Sequence, residues 1–151
     1  MSIRTAQPTD AVLMVDIERA VSTGPWSLAQ FLTSCHSASE DCWVSYEEQA
    51  GVVGFAVSQR ILDETTLLNV GVAPAQQGRG RGGLLLAAVL DKALADGSQR
   101  CLLEVRASNS AARHLYERAG FVQDGVRKAY YPATTGREDA ILMSLDMKLW
   151  N

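Results

Sequence analysis

The stretch from Leu67 to Leu90 reads LLNVGVAPAQQGRGRGGLLLAAVL and joins three kinds of local structure. Its apolar start predicts a strand that ends at Val72, and the Ala-Pro pair that follows predicts a turn. Its last part is a long apolar segment that predicts a buried helix, with a glycine-rich loop before it. A helix that begins after such a loop leaves backbone N–H groups free to bind an anion. The sequence therefore predicts a site for a phosphate-bearing ligand at residues 78–83.

The composition is typical of one globular domain. The chain has 151 residues, of which 47% are hydrophobic and 21% are charged, so we expect a single domain over residues 1–151. The net charge of -3 argues against a general nucleic-acid binder, and no direct nucleic-acid contact is expected. The N-terminus lacks the apolar segment of a secretion signal, and no apolar run is long enough to span a bilayer. We expect a cytoplasmic monomer with no membrane partner.

The cysteines and histidines predict neither a metal site nor a catalytic triad. Cys35, Cys42 and Cys101 are odd in number and irregular in spacing, unlike a disulfide framework. A zinc site at Cys35, His36 and Cys42 would need a second close pair of ligands, so no metal is expected. Neither His36 nor His114 has a serine or cysteine partner in the sequence that would suit a triad.

The predicted elements follow the order β-α-α-β-β-β-α-β-α-β-β, from apolar periodicity and from the positions of glycine and proline. The predicted strands are 2–6, 42–46, 52–61, 65–72, 99–106, 121–131 and 139–149. The predicted helices are 11–21, 82–95 and 110–119, with a shorter one that starts at Trp26-Ser27 and passes Leu32. Residues 34–41 are predicted as a polar loop, Gly54 as a bulge or close approach, and Gly125 as a kink. This order predicts an α+β fold with helices on both faces of a mixed sheet.

The glycine-rich loop has the pattern Gln-x-x-Gly-x-Gly from Gln77 to Gly82. It lacks the Gly-Lys-Ser/Thr ending of a Walker loop, and the strands before it do not form the βαβ unit of a dinucleotide fingerprint. Its glycines permit close approach of the backbone to a pyrophosphate, and its two arginines add positive charge. A flexible Arg-Gly surface loop or an RNA-binding segment is the alternative, although the loop lies between a buried strand and a buried helix.

Glu104 is a charged residue inside a strand that is otherwise apolar. Alternation along the strand places Leu102, Glu104 and Arg106 on one face. Cys101, Leu103 and Val105 lie on the other face. A partly buried carboxylate in such a strand suits a general base. The alternatives are an exposed edge position or an ion pair with Arg106.

Asn109 and Tyr116 lie two helical turns apart at the helix predicted over 110–119. Residues at this spacing share one face of a helix, so the two side chains can act on the same ligand. Simple packing of the tyrosine and a helix cap at the asparagine remain the alternatives.

These segments together resemble the GNAT family of N-acetyltransferases. The resemblance rests on the Gln-x-x-Gly-x-Gly loop after a strand, the glutamate-bearing strand, the Asn-x6-Tyr spacing and the run Leu-Tyr-Glu-x-x-Gly-Phe at 115–121. It covers almost the whole chain in element order. It implies a mostly antiparallel central sheet and acetyl-CoA as the co-substrate.

The resemblance also implies a role for each matching residue. Glu104 is expected to accept a proton and Tyr116 to donate one. The acetyl and pantetheine arm is expected to lie along Val70, Gly71 and Val72, and Asn109 to contact the cofactor. The pyrophosphate is expected to be held by Gly78, Arg79, Gly80, Arg81, Gly82 and Gly83.

Further runs are similar to a bacterial subgroup of this family that acetylates the N-terminal alanine of a small-subunit ribosomal protein. They are Asp-Glu-x-Thr-Leu at 63–67, Leu-Glu-Val-Arg-Ala-Ser-Asn at 103–109, Tyr-Tyr-Pro at 130–132 and Gly-Arg-Glu-Asp-Ala at 136–140. This similarity implies a basic ribosomal-protein N-terminal peptide as the partner, held by Trp26, Tyr130 and Tyr131. Another protein N-terminus, a lysine or a small amine remain alternative acceptors. A non-catalytic acyl-CoA-binding sensor is the alternative of another class.

Overall fold

The computed structural model describes residues 2–150 and has the predicted order of elements. The strands are β1 Ser2–Thr5, β2 Glu40–Glu47, β3 Gly51–Ile61, β4 Glu64–Val72, β5 Arg100–Arg106, β6 Val122–Pro132 and β7 Arg137–Asp146. The helices are α1 Ala11–Val21, α2 Leu28–His36, α3 Arg81–Ala95 and α4 Ser110–Ala119. Within residues 2–150, no helix is long and apolar enough to cross a membrane.

The seven strands form one sheet in the order β1-β2-β3-β4-β5-β7-β6. Every neighbouring pair is antiparallel except β4 and β5, which confirms the expected mixed, mostly antiparallel sheet. The parallel pair is short, because only residues 64–66 of β4 pair with residues 100–102 of β5. Beyond these pairs the two strands separate, and a gap opens in the middle of the sheet.

A bulge in β4 lies at the point where the strands separate. Val57 of β3 pairs with Asn69 and Ser58 pairs with Leu67, so Leu68 is an extra residue in β4. A bulge bends its strand and increases the local twist. Meanwhile β5 remains paired with β7 along its whole length. The two halves of the sheet therefore diverge after Thr66.

Helices cover both faces of the sheet, as predicted, because central strands send alternate side chains to opposite sides. In β3, Phe55 and Val57 are fully buried in the core under α1 and α2. Ala56 between them lies in the other core, under α3 and α4. We call these the α1–α2 side and the α3–α4 side of the sheet.

The predicted loop at 34–41 is wrong at both ends, because α2 continues to His36 and β2 begins at Glu40. The polar residue Ser34 is buried there, and its hydroxyl donates to Glu40 Oε1 at 2.7 Å. The last strand was also predicted too long. It ends at Asp146, whose side chain accepts the N–H of Lys148 at 3.0 Å and begins a short 3₁₀ turn over Met147–Leu149.

Two expectations about glycine positions are confirmed. The pairing of β6 with β7 shifts register between Gln123 and Gly125. At Gly54, the pairing of β2 with β3 also shifts, and an added Cβ atom would lie 3.1 Å from the carbonyl oxygen of Gly71. Gly54 therefore marks both a bulge and a close approach.

Gly71 is packed even more closely than Gly54. An added Cβ atom would lie 2.7 Å from Cε1 and 2.9 Å from Cζ of Phe55, a fully buried ring. The strand that borders the gap is therefore held directly against the core of the α1–α2 side.

Gly71→Ala should lower the free energy of unfolding by about 1–3 kcal/mol, because the methyl group overpacks a rigid core. Urea unfolding measures this change. Gly125→Ala is the matched control, since its added Cβ atom would lie at an ordinary 3.8 Å from Leu142 Cδ1. Equal unfolding midpoints for Gly71→Ala and wild type would contradict the close contact with Phe55.

Candidate active site

A cleft of about 560 Å³ occupies the gap between β4 and β5. Its walls come from the end of α1 and the loop after it, from both strands, from the start of α4 and from the end of β6. Among the predicted site residues it is lined by Trp26, Val70, Glu104, Asn109, Tyr116 and Tyr131. A second hollow of about 490 Å³ lies beside Leu94 and Lys148, and none of the predicted site residues lines it.

The glycine-rich loop presents a helix end without a side-chain cap. Gly80 is the N-cap of α3 with φ 78°, and no side chain accepts a hydrogen bond from the first turn. The N–H groups of Arg81, Gly82 and Gly83 therefore have no partner within the helix. Gly78 also has a positive φ, of 77°. Free amides together with the positive end of the helix dipole suit a phosphate group.

The two arginines of the loop differ in what their side chains can do. Arg81 is only 7% exposed, and its guanidinium forms an ion pair with Glu47. The expectation that the Arg81 side chain adds charge to the loop is therefore wrong, because that charge is already neutralised inside the protein. Arg79 is exposed, and within the described residues 2–150 its side chain makes one hydrogen bond, a long one of 3.4 Å to Gln76 Oε1.

The predicted cofactor strand borders the gap with an open edge. Among residues 2–150, no strand pairs with residues 67–72 on the side facing β5, so the backbone N–H and C=O groups on that edge have no strand partner. Val70 lines the cleft, whereas Gly71 packs against Phe55. Gln77 Nε2 donates to the carbonyl oxygen of Val72 at 3.0 Å, which ties the glycine-rich loop to the end of β4.

Glu104 faces the cleft from the α1–α2 side. Cys101, Leu103 and Val105 alternate with it and are buried in the α3–α4 core, as predicted. About 32% of the Glu104 side chain is exposed, and its Oε1 lies 3.3 Å from Nη2 of Arg127. The predicted alternative partner, Arg106, does not form this ion pair.

Tyr116 approaches the same gap from the opposite face. It belongs to the α3–α4 core, is 5% exposed, and its ring centroid lies 5.8 Å from that of Phe121. Burial raises the pKa of its phenol well above the usual range, and the nearby Cys101 and Tyr131 add to the rise. Tyr116 therefore holds its proton under all ordinary conditions.

Asn109 both caps a helix and lines the cleft. It is the N-cap of α4, and its Oδ1 accepts the N–H of Ala112 at 3.2 Å. The interpretation of Asn109 as a helix cap is correct. The cap uses only Oδ1, so the side-chain nitrogen of Asn109 can still bind a ligand.

The predicted substrate residues lie at the mouth of the cleft on the α1–α2 side. The Trp26 ring centroid lies 5.2 Å from that of Phe31, and Tyr131 lines the cleft. Tyr130 is 43% exposed and does not line the cleft. Its ring packs edge-on against Tyr131 at 5.0 Å. Tyr130 thus supports Tyr131 rather than forming the wall itself.

Arg106 connects three walls of the cleft and was missed by the sequence analysis. Its Nη1 donates to the carbonyl oxygen of Pro132 at 2.7 Å, and its guanidinium lies 4.5 Å from the ring centroid of Tyr131. An added Cβ atom on Gly24 would lie only 3.6 Å from Arg106 Nη2. Its shared strand face with Glu104 could have identified it as a cleft residue.

Glu18, Asn69 and Arg127 are further cleft or near-cleft residues that the sequence analysis missed. Glu18 and Asn69 are polar residues in apolar segments and line the cleft together. Arg127 precedes a register shift in β6, which no sequence pattern located. Within residues 2–150, no group of three His, Cys, Asp or Glu side chains could hold a metal ion.

Asn109→Ala should lower the free energy of unfolding by about 1 kcal/mol, because the N–H of Ala112 loses its acceptor. Asn109→Ser is the matched variant and should stay close to wild type, since a serine hydroxyl caps as well as an asparagine amide. Urea unfolding compares the two. Equal destabilisation by both substitutions would show that the cap is not what Asn109 contributes to stability.

Several known proteins are similar to this chain in sequence and in structure. Residues 11–121 match the Acetyltransferase (GNAT) family. The ribosomal protein bS18-alanine N-acetyltransferase of Haemophilus ducreyi is 38% identical over 144 residues, which cover 95% of this chain and 98% of the relative. The enzyme of that name from Escherichia coli strain K12 is 36% identical over 150 residues, covering 98% and 99%.

A solved structure agrees with these relatives. The crystal structure of the ribosomal-protein-S18-alanine N-acetyltransferase from Escherichia coli superposes with a TM-score of 0.90 and 37% identity, covering 97% of this chain and 93% of that one. The predicted family resemblance is therefore confirmed over nearly the whole chain. The chain belongs to the GNAT acetyltransferase family, and it is an acetyl-CoA-dependent N-acetyltransferase.

Proposed function

We propose that this enzyme acetylates the α-amine of the N-terminal alanine of ribosomal protein bS18. The observation that carries the proposal is identity of 36–38% over 95–98% of the chain to enzymes named for that reaction. The cleft supports it, since a proton acceptor and a proton donor face one gap from opposite sides of the sheet.

The residues around the gap fit acetyl-CoA, which supplies the acetyl group as a thioester when it is bound. The uncapped start of α3 suits the pyrophosphate, through the amides of Gly80 to Gly83. Arg79 adds positive charge, and Arg81 contributes its backbone only. The open edge of β4 along Val70 to Val72 can hydrogen-bond the pantetheine arm, with the Asn109 amide beside it.

Glu104 is proposed as the proton acceptor. A free α-amine has a pKa of about 7.7–8.0, so much of it is protonated at neutral pH and cannot attack a thioester. Glu104 faces the α1–α2 side, where the peptide enters between Trp26 and Tyr131, and can remove that proton directly or through water. Arg127 of β6 forms an ion pair with the Glu104 carboxylate and helps to hold it in place.

Tyr116 is proposed as the proton donor to the sulfur that leaves. Its raised pKa keeps the phenol protonated, so a proton is present beside the gap when the thiolate leaves. Because Tyr116 lies on the α3–α4 side, the proton is delivered from the face opposite to Glu104. A backbone N–H on the open edge of β4 can stabilise the developing oxyanion.

The acceptor is proposed to be a basic N-terminal peptide, bound by a cytoplasmic monomer over residues 1–151 without nucleic-acid or membrane contact. The aromatic residues Trp26 and Tyr131 form the mouth of the cleft, with Tyr130 behind. Glu138 and Asp139 add less to the attraction of a basic peptide than their charges suggest. Arg106 Nη1 lies 3.9 Å from Glu138 Oε2 and Lys128 Nζ lies 3.5 Å from Asp139 Oδ2, so nearby cations partly offset both charges.

A peptide panel tests the proposed acceptor. Mass spectrometry after incubation with acetyl-CoA should show one acetyl group on the α-amine of a peptide with the bS18 N-terminal sequence. The same peptide with a blocked N-terminus should not react. Acetylation confined to lysine or to a polyamine would contradict the proposal, and the absence of CoA release with every acceptor would favour an acyl-CoA sensor.

Glu104→Gln and Tyr116→Phe should each lower kcat by about a hundredfold or more, because each removes one proton-transfer group. The KM for acetyl-CoA should change little, since neither side chain belongs to the pyrophosphate loop. Steady-state kinetics with the reactive peptide measures both constants. Near-normal turnover in either variant would show that the assigned residue does not transfer the proton.

A further inference from the structure

Glu18 is a buried carboxylate that the proposed proton transfers do not use. It lies in the last turn of α1, is 3% exposed and lines the cleft. Among residues 2–150, no lysine or arginine forms an ion pair with it. Carboxylates are almost never fully buried without a positive partner, so this one requires an explanation.

Both hydrogen bonds to the Glu18 carboxylate fall on the same oxygen. Oε2 accepts the backbone N–H of Trp26 at 3.0 Å and the side-chain Nδ2 of Asn69 at 2.7 Å. Oε1 has no donor among residues 2–150. The two neutral donors therefore fix the direction of the carboxylate but leave its net charge uncompensated and one oxygen free in the cleft.

The position of Glu18 is unfavourable for the stability of the fold. The C-terminal end of a helix carries a partial negative charge, which repels a carboxylate in the last turn. Burial adds a desolvation penalty that no cation of the described chain offsets. A group that costs stability beside a ligand cleft is typical of a binding function.

We propose that Glu18 Oε1 binds the α-ammonium group of the acceptor peptide, before its proton is removed. This inference rests on the proposed function, in which the acceptor is a free α-amine. An ammonium group has three N–H donors, so one can bind Glu18 while another faces Glu104 or water. The two carboxylates have separate roles. Glu18 binds the charged amine in the ground state, and Glu104 removes its proton.

The location of the two carboxylates supports this division. Asn69, which holds Glu18, pairs with Val57, a residue of the α1–α2 core, and Glu104 lies on the same side of the sheet. Trp26, the other donor to Glu18, lies at the proposed entrance for the peptide. The ammonium subsite therefore lies on the peptide side of the gap, away from Tyr116.

The direct test compares binding of two peptides to the enzyme saturated with CoA, which carries no acetyl group. One peptide has the bS18 N-terminal sequence, and the other has propionyl in place of alanyl and thus lacks only the amine. By calorimetry, wild type should bind the first at least about tenfold more tightly, as a charge-assisted hydrogen bond predicts. Glu18→Gln should remove most of this preference, because glutamine keeps both hydrogen bonds but not the charge.

A control variant separates the charge of Glu18 from the other charge of its helix. Asp16→Asn removes an exposed carboxylate from the same helix and should keep the preference for the free amine. Loss of the preference in Asp16→Asn equal to that in Glu18→Gln would show that the preference does not depend on Glu18, and would overturn the proposal.

Kinetics provide a second readout. Glu18→Gln should raise the KM for the peptide by about tenfold without lowering kcat, because it removes ground-state binding only. Its melting temperature should not fall, since an unpaired buried charge is removed. A lowered kcat with unchanged KM, or an intact preference for the free amine in Glu18→Gln, would overturn the proposal.

A measurement on the wild type does not depend on how the variants fold. With a ¹⁵N-labelled α-amine, an NMR titration of the CoA complex should give a higher amine pKa than in the free peptide, since a carboxylate stabilises the ammonium. A lower pKa would overturn the proposal. If the peptide panel identifies another amine as the acceptor, binding of that amine is compared with binding of its des-amino analogue. The proposed bS18 acceptor and the proposed Glu18 subsite can therefore fail independently.

Discussion

The limited pairing of β4 with β5 is the constraint on which the rest of the site depends. The two strands share only residues 64–66 and 100–102, after which the extra residue Leu68 bends β4 away while β5 follows β7. A gap inside a sheet leaves backbone groups without partners, which costs stability unless water or a ligand satisfies them. The same gap offers an extended ligand a strand edge to pair with, so the unfavourable feature of the fold is also the proposed binding site.

Two buried charged side chains near the gap have opposite environments: one has a partner of opposite charge and the other does not. Arg81 is buried at the start of α3, but Glu47 neutralises it, so the helix end keeps free amides without a competing local side chain. Glu18 is buried at the end of α1 with hydrogen bonds but no cation. The first arrangement stabilises the fold around an anion site. The second keeps a negative charge facing the cleft, where a cationic amine is the natural partner.

Much of the fold follows from local sequence patterns, and the site follows from them only in part. The helices 11–21 and 110–119 were predicted to the residue. Asn109 caps the second helix and Gly120 ends it, whereas apolar periodicity and the break at residues 22–25 delimit the first. Alternation correctly placed Glu104 opposite the core residues of its strand. The partners of Glu104 and Arg81 could not be predicted, since they depend on strands far apart in the chain. Arg127 reaches Glu104 through a register shift of β6, where Ala129 adopts a φ of 50°.

The register of β5 against β7 decides which residue reaches which side of the gap. Residues 100–106 pair continuously with residues 140–146, and this pairing sends Leu103 to the α3–α4 core and Glu104 to the α1–α2 side. A slip of one residue would exchange the faces, burying Glu104 beside Tyr116 and placing Leu103 at the peptide entrance. Since β5 has almost no partner in β4, only β7 can hold this register. The antiparallel pair β5–β7 therefore fixes the separation of Glu104, the proposed proton acceptor, from Tyr116, the proposed proton donor, although β7 contributes no residue to the lining of the cleft.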